Sequence, residues 1–261
     1  MSTAIAWQMT SVDFLKLRKR RGMMIWSFLL AVAPVLIYFL VSAIQHSSNP
    51  GRYGPAGGTH NFTDGLRVIA LFFGPLAAVL IGVEAGTGDA SAGVFRDLVV
   101  TGRSRLALFA TRVPAALALC CTMIGVAYGL LIVGTYAFAS NLPTPGLSLV
   151  FNGLGFALLA TGVVCVVAVG FAALTTSKPA AIIALIAWQI VASPLIANIE
   201  SLGSARAGVL SQALGHFSPV HVEGRRGEIV TMSQGTAILV TLAWLAVFLG
   251  LGAWRTRKMD A

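Results

Sequence analysis

The chain has 261 residues, 57% of them hydrophobic and only 10% charged, with 18 Lys and Arg against 9 Asp and Glu. A formal net charge of +9 on a mean hydropathy of +0.84 excludes a soluble globular domain and describes an all-α polytopic membrane protein. A spanning helix needs about 20 mostly apolar residues to cross a hydrocarbon core about 30 Å thick, so residues 1–261 are expected to form one transmembrane domain of six helices with modest connections.

Residues 1–22 place Ile5, Met9, Val12, Phe14 and Leu17 at rough helical spacing and close on Lys16, Arg18, Lys19, Arg20 and Arg21. That pattern predicts an amphipathic helix on a membrane surface, its basic end towards anionic lipid. The first apolar run is too long and too far from the start for a cleavable signal and is expected to stay in the protein. It gives the first span, 23–45, with Pro34 as a kink. Residues 46–64, HSSNPGRYGPAGGTHNFTD, read as an aqueous loop. The second span, 66–84, borrows the snorkelling stem of Arg67 at one end and reaches Glu84 at the other.

Residues 82–112, GVEAGTGDASAGVFRDLVVTGRSRLALFATR, then concentrate seven charges in a chain that has few. Val94, Leu98 and Val99 share one helical face while Arg96, Asp97 and Arg103 point elsewhere, which predicts a short amphipathic helix parallel to the membrane. The alternative is a solvated loop whose charges only fix topology. Glu84 and Arg112 flank this stretch as interfacial charges, either paired with each other or snorkelling separately.

The third and fourth spans, 108–138 and 147–174, divide at SNLPTPG, and TTSKP turns the chain into the fifth, 179–198, which carries Trp188, Gln189 and Pro194. Residues 199–231 form a longer polar connection. Within it Leu202, Val209, Leu210, Ala213, Leu214 and Phe217 make a helical stripe, predicting an outer or re-entrant helix. The sixth span is 232–254. Thirteen of the 18 basic residues fall on the side of the two termini; Arg52, Arg67, Arg206, Arg225 and Arg226 fall on the other. Both termini and residues 84–112 are therefore expected in the cytosol. No basic groove with interleaved aromatics points to nucleic acid.

The chain offers little chemistry of its own. Cys120, Cys121 and Cys165 lie in apolar runs without metal-ligand spacing and read as packing residues. His46, His60, His216 and His221 fall in outer connections, where solvated imidazole is the ordinary reading, so no metal site is expected. Asn61-Phe62-Thr63 matches a glycosylation sequon that matters only in a eukaryotic secretory setting. GVEAGTGDASAG lacks the Gly-Lys-Ser/Thr of a phosphate-binding loop, and Ser91 misses the Gly-x-Ser-x-Gly elbow. Span interiors hold Asn152, Thr161, Gln189 and Ser193 without a carboxylate or His, so no catalytic residue is assigned. Gln189 and Ser193, four residues apart, are expected to face a pathway and not lipid, because an amide in hydrocarbon lacks partners. Gly82-x-x-x-Gly86 and Gly125-x-x-x-Gly129 have the spacing of close helix contacts.

The run Asp89, Gly93, Arg96, Leu98, Ser104, Arg105 resembles the acidic-xxx-Gly-Thr-x-Arg-x-Leu…Pro-x-Ser-Arg segment between the second and third spans of ABC-2 type transporter permeases, the membrane subunits of bacterial drug and antibiotic ABC exporters. The resemblance extends to the basic amphipathic start, the six spans, Ser218-Pro219 before the last span and the ending WRTRKMD. It departs at Val94, where Thr is usual, and at Gly102, where Pro is usual. It implies that 88–104 is a cytosolic coupling helix docking on a separate ATP-binding subunit through Asp89, Gly93, Val94, Arg96, Asp97, Leu98, Ser104 and Arg105, with Phe14, Leu17 and Arg18 of the N-terminal helix alongside. It also implies ATP and Mg on that partner and no cofactor in this chain, a second permease of the same or a similar kind, and residence in the bacterial cytoplasmic membrane. The cargo would be an amphipathic small molecule, lipid or peptide, exported along a pathway lined by the second and fifth spans, with Gln189, Ser193, Trp188 and Asn152 as lining candidates. The alternative function is an ATP-independent channel or membrane scaffold, with an intramembrane enzyme further off.

Overall fold

The computed structural model describes residues 3–91, 104–175, 177–220, 230 and 232–258, the side chains of 3–4 and 89–91 excepted. The described residues form helices and turns, without a strand. Six helices are long and apolar enough to cross a membrane: Arg21–Ser48, Gly58–Gly88, Arg105–Ala137, Leu147–Thr175, Lys178–Asn198 and Gln234–Lys258. An N-terminal helix, Thr3–Lys19, precedes them, and a single non-helical residue, Arg20, separates it from the first span.

The fourth span is the axis of the bundle, with 78% of its most apolar window buried against 17% for the fifth and sixth. Small residues bring its neighbours close. A Cβ on Gly82 would stand 2.5 Å from the Cys165 carbonyl, and one on Gly86 would stand 2.6 Å from that of Val169, so the second span lies backbone to backbone on the fourth. Gly170 and Gly252 make the same contact with the sixth span, a Gly170 Cβ reaching 2.3 Å from the Phe248 carbonyl. Gly125 and Gly129 have open space where a Cβ would go, so the second of the two sequence spacings packs against nothing among the described residues.

The second span starts earlier than the composition predicts. Residues 58–67, read as loop and interface, are helical and continuous with the span. At about 1.5 Å per residue this helix is some 46 Å long and projects beyond the hydrocarbon. Its polar residues are spent on its neighbours. Tyr38 donates to Asn61 Oδ1 at 2.6 Å, while Asn61 Nδ2 donates to the Pro55 and Gly57 carbonyls at 3.0 and 2.7 Å. The Thr59 amide bonds the Pro143 carbonyl, and Gly58, at φ +86, takes a backbone shape that L side chains rarely adopt. Asn61 of the sequon is thus a structural amide.

Two prolines shape the interior. The second span carries a π-helical turn at Val68–Phe73 and the fifth another at Trp188–Ala192, one residue ahead of Pro75 and Pro194 respectively. Proline lacks the N–H that residue i−4 needs, and widening the preceding turn is the local remedy. The carbonyls deprived of their ordinary donor are those of Leu71 and Ile190.

Between the fifth and sixth spans the predicted outer helix is shorter than its stripe. Residues 200–208 form 3₁₀ turns broken at Gly203 (φ +51), and the helix proper is Leu210–His216. Leu210 and Leu214 join the core, and Trp244 Nε1 of the sixth span donates to the Gly208 carbonyl at 3.0 Å.

Candidate functional site

Five of the six spans begin or end near one cluster of charge. Glu84, only 4% exposed at the end of the second span, is held by Arg20 Nε at 3.3 Å and by Lys178 Nζ. Arg20 is the joint between the N-terminal helix and the first span, and Lys178 opens the fifth span after the short turn from the fourth. Isolating a carboxylate from water is costly, and two cations within reach offset that cost. Arg112, 5% exposed on the third span, donates through Nη1 to the Gly86 carbonyl at 3.2 Å. The sequence offered Arg112 as a partner for Glu84, but the two ion pairs that the structure gives Glu84 come from Arg20 and Lys178. Arg20 was expected to face anionic lipid at the basic end of the N-terminal helix, and Lys178 to mark topology.

The N-terminal helix is fastened to the same end. Thr111 of the third span donates to Asp13 Oδ2 at 2.8 Å, Asp13 also pairs with Lys16 at 3.3 Å, Leu17 is buried and Phe14 packs against the core. Arg18 is exposed. Helix Thr3–Lys19 therefore leans on the third span with one face while Trp7, Val12 and Leu15 stay exposed on the other. Ser104 caps the third span by accepting from the Ala107 amide at 3.2 Å, and Arg105 Nη1 donates to the Arg257 carbonyl at 3.1 Å, tying in the end of the sixth. Of the expected coupling residues, Gly93, Val94, Arg96, Asp97 and Leu98 lie outside the described residues, as does the side chain of Asp89.

The pathway candidates are brought together only in part. Gln189, half-buried at the middle of the fifth span, donates through Nε2 to the Leu71 carbonyl of the second at 3.4 Å. Leu71 is the carbonyl that Pro75 deprives of a donor, so the amide of one π turn serves the other. Ser193 is 2% exposed and shares a 2.6 Å hydrogen bond with Ser211 of the short helix Leu210–His216, so it is a bridging residue and presents no open hydroxyl. Trp188 lies against Trp244 at 5.5 Å between ring centroids, and Trp244 stacks on Phe248 at 5.4 Å. Asn152 stands apart, exposed near the start of the fourth span and 3.5 Å from Ser148. Pro75, four residues beyond Leu71, is the signal in the sequence for the acceptor.

Elsewhere the titratable groups have local partners. His60 pairs with Asp64 at 3.6 Å, Arg67 with Asp64 at 3.3 Å, and His46 Nδ1 meets the Tyr53 carbonyl at 2.7 Å. Among the described residues no three His, Cys, Asp or Glu side chains gather as metal ligands would, and Cys120, Cys121 and Cys165 are free thiols. Comparison of the chain with protein-family models finds no match, and comparison with curated proteins finds none either.

Proposed function

We propose that the chain is the permease subunit of an ATP-binding cassette exporter of the ABC-2 type. In this reading it sits in a bacterial cytoplasmic membrane with both termini in the cytosol, pairs with a second permease, and takes its energy from separate subunits that bind ATP and Mg. The observation that carries the reading is the charge cluster at Glu84. A motor outside the membrane must pull on several spans together, and this cluster ties the N-terminal helix, the end of the second span and the start of the fifth to one buried carboxylate. The polar stretch 92–103 joins the second span, which carries Glu84 near its end, to the third, which Ser104 caps. A docking subunit that grips the stretch would therefore load the knot directly.

The sequence resemblance and the absence of a phosphate-binding loop support the division of labour between two chains. Co-purification with the co-encoded ATP-binding subunit, followed by ATPase assays across a panel of amphiphiles, tests the proposal. Stimulated hydrolysis by the assembled complex is expected. A chain that recruits no ATPase and passes solutes unaided would be the channel or scaffold instead.

A further inference from the structure

Gln189 and Asn61 are both amides set into helix contacts, yet they are used differently. A side-chain amide offers two N–H donors and a carbonyl oxygen with two acceptor positions. Asn61 fills three of these four, with Tyr38, Pro55 and Gly57. Among the described residues Gln189 fills one, the 3.4 Å bond to Leu71. That leaves an N–H and the whole of Oε1 at mid-span, in a half-exposed position. An amide half-used at apolar depth lacks partners that hydrocarbon cannot provide.

From this we infer that Gln189 is the recognition amide for a peptide backbone, an inference that rests on the export reading and names the cargo as an apolar peptide or peptide-like amphiphile. An extended residue turns its N–H and its C=O to the same side. Oε1 accepts from that N–H while the second Nε2–H donates to that C=O, and the Leu71 carbonyl holds the first Nε2–H and so fixes the plane of the amide. Phe72, next to Leu71 in the chain, and Ile190, next to Gln189, are exposed and offer apolar surface for the cargo's side chains. A carboxylate or phosphate would set its oxygens against Oε1, and a hydrocarbon would leave both groups unmet. Only a group with a donor and an acceptor side by side satisfies the amide.

The test compares two fluorescent amphiphiles on the wild-type chain in lipid nanodiscs. One is a pyrene-butanoyl-leucine octyl ester, and the other is identical except that the leucine N–H is replaced by an ester oxygen. Energy transfer from tryptophan to pyrene is titrated over that of empty nanodiscs. The N–H compound is expected to bind about tenfold more tightly, the scale of one lost hydrogen bond that strands a buried acceptor, and Gln189→Leu is expected to bind both alike. Equal affinities on the wild type, or no binding of either, overturn the inference whether or not the variant folds. The assay needs no ATPase, so the two readings fail separately. N–H-selective binding by a chain that recruits no motor sinks export alone, and a stimulated exporter indifferent to the N–H sinks peptide recognition alone.

Discussion

Arg20 Nε stands 3.3 Å from Glu84 Oε1, and through this contact the joint after the N-terminal helix is fixed to the end of the second span, which also holds Lys178 at the head of the fifth. Removing the shared carboxylate should cost more than removing either cation. Glu84→Gln breaks both ion pairs but leaves cations that are 54% and 41% exposed and can turn to water, so it is expected to lose about 1–2 kcal/mol of stability. Arg20→Gln, at a position open to solvent and with Lys178 still in place, should lose about 1 kcal/mol or less. Thermal unfolding of the purified chain in detergent reads both. Equal small losses would mean that the cluster behaves as ordinary surface charge.

The two glycine spacings give opposite expectations. Gly86→Ala drives a Cβ into the Val169 carbonyl and should destabilise by about 1–3 kcal/mol. Gly125→Ala meets open space within a helix and should stabilise by about 0.5–1 kcal/mol. The same unfolding assay decides, and a loss at both positions would place a partner surface against Gly125.

Orientation is tested by cysteine labelling on a background with Cys120, Cys121 and Cys165 replaced by Ala. Arg52→Cys should react with an impermeant maleimide on intact cells and Gly102→Cys should not, given the excess of basic residues on the side of the termini. Ala56, in the same connection, is a poor reporter because it is only 3% exposed. Reaction at position 102 would invert the topology.

Coupling is tested in the stretch between the second and third spans. Arg96→Glu should leave insertion and pairing of the permease intact, yet weaken its hold on the ATP-binding subunit by about 2–5 kcal/mol, the range for breaking one side of a buried charged contact. Pull-down from detergent and substrate-stimulated ATPase activity report the loss. Full retention of both would leave Arg96 with a topological role only.

The spans were legible because each is an apolar run without charge, and physics gives such a run one solution in lipid. The helical start at Gly58 was hidden by its composition: Thr59 and Asn61 look like loop residues until their partners, Pro143 for the first and Pro55 and Tyr38 for the second, are in place. The partners of Glu84 were hidden for a related reason. Charge and depth suggested Arg112, while Lys178 sits almost a hundred residues away in sequence and reaches Glu84 because the start of the fifth span packs against the second. The Gly82 and Gly125 pairs carry the same spacing, and only the packed fold separates the one that touches from the one that does not.

The placement of Pro75 also bears on how the protein is made. The donor that serves the Leu71 carbonyl lies 118 residues further on, so the second span leaves the ribosome long before Gln189 exists. Glu84 is differently provided for, since Arg20 precedes it and Lys178 comes later. A nascent chain thus carries its buried carboxylate into the bilayer with one counter-ion already synthesised, whereas the widened turn of the second span waits for the fifth to be born. Stalled or truncated chains that end before residue 189 should expose that turn to whatever cellular machinery inspects unfinished membrane proteins.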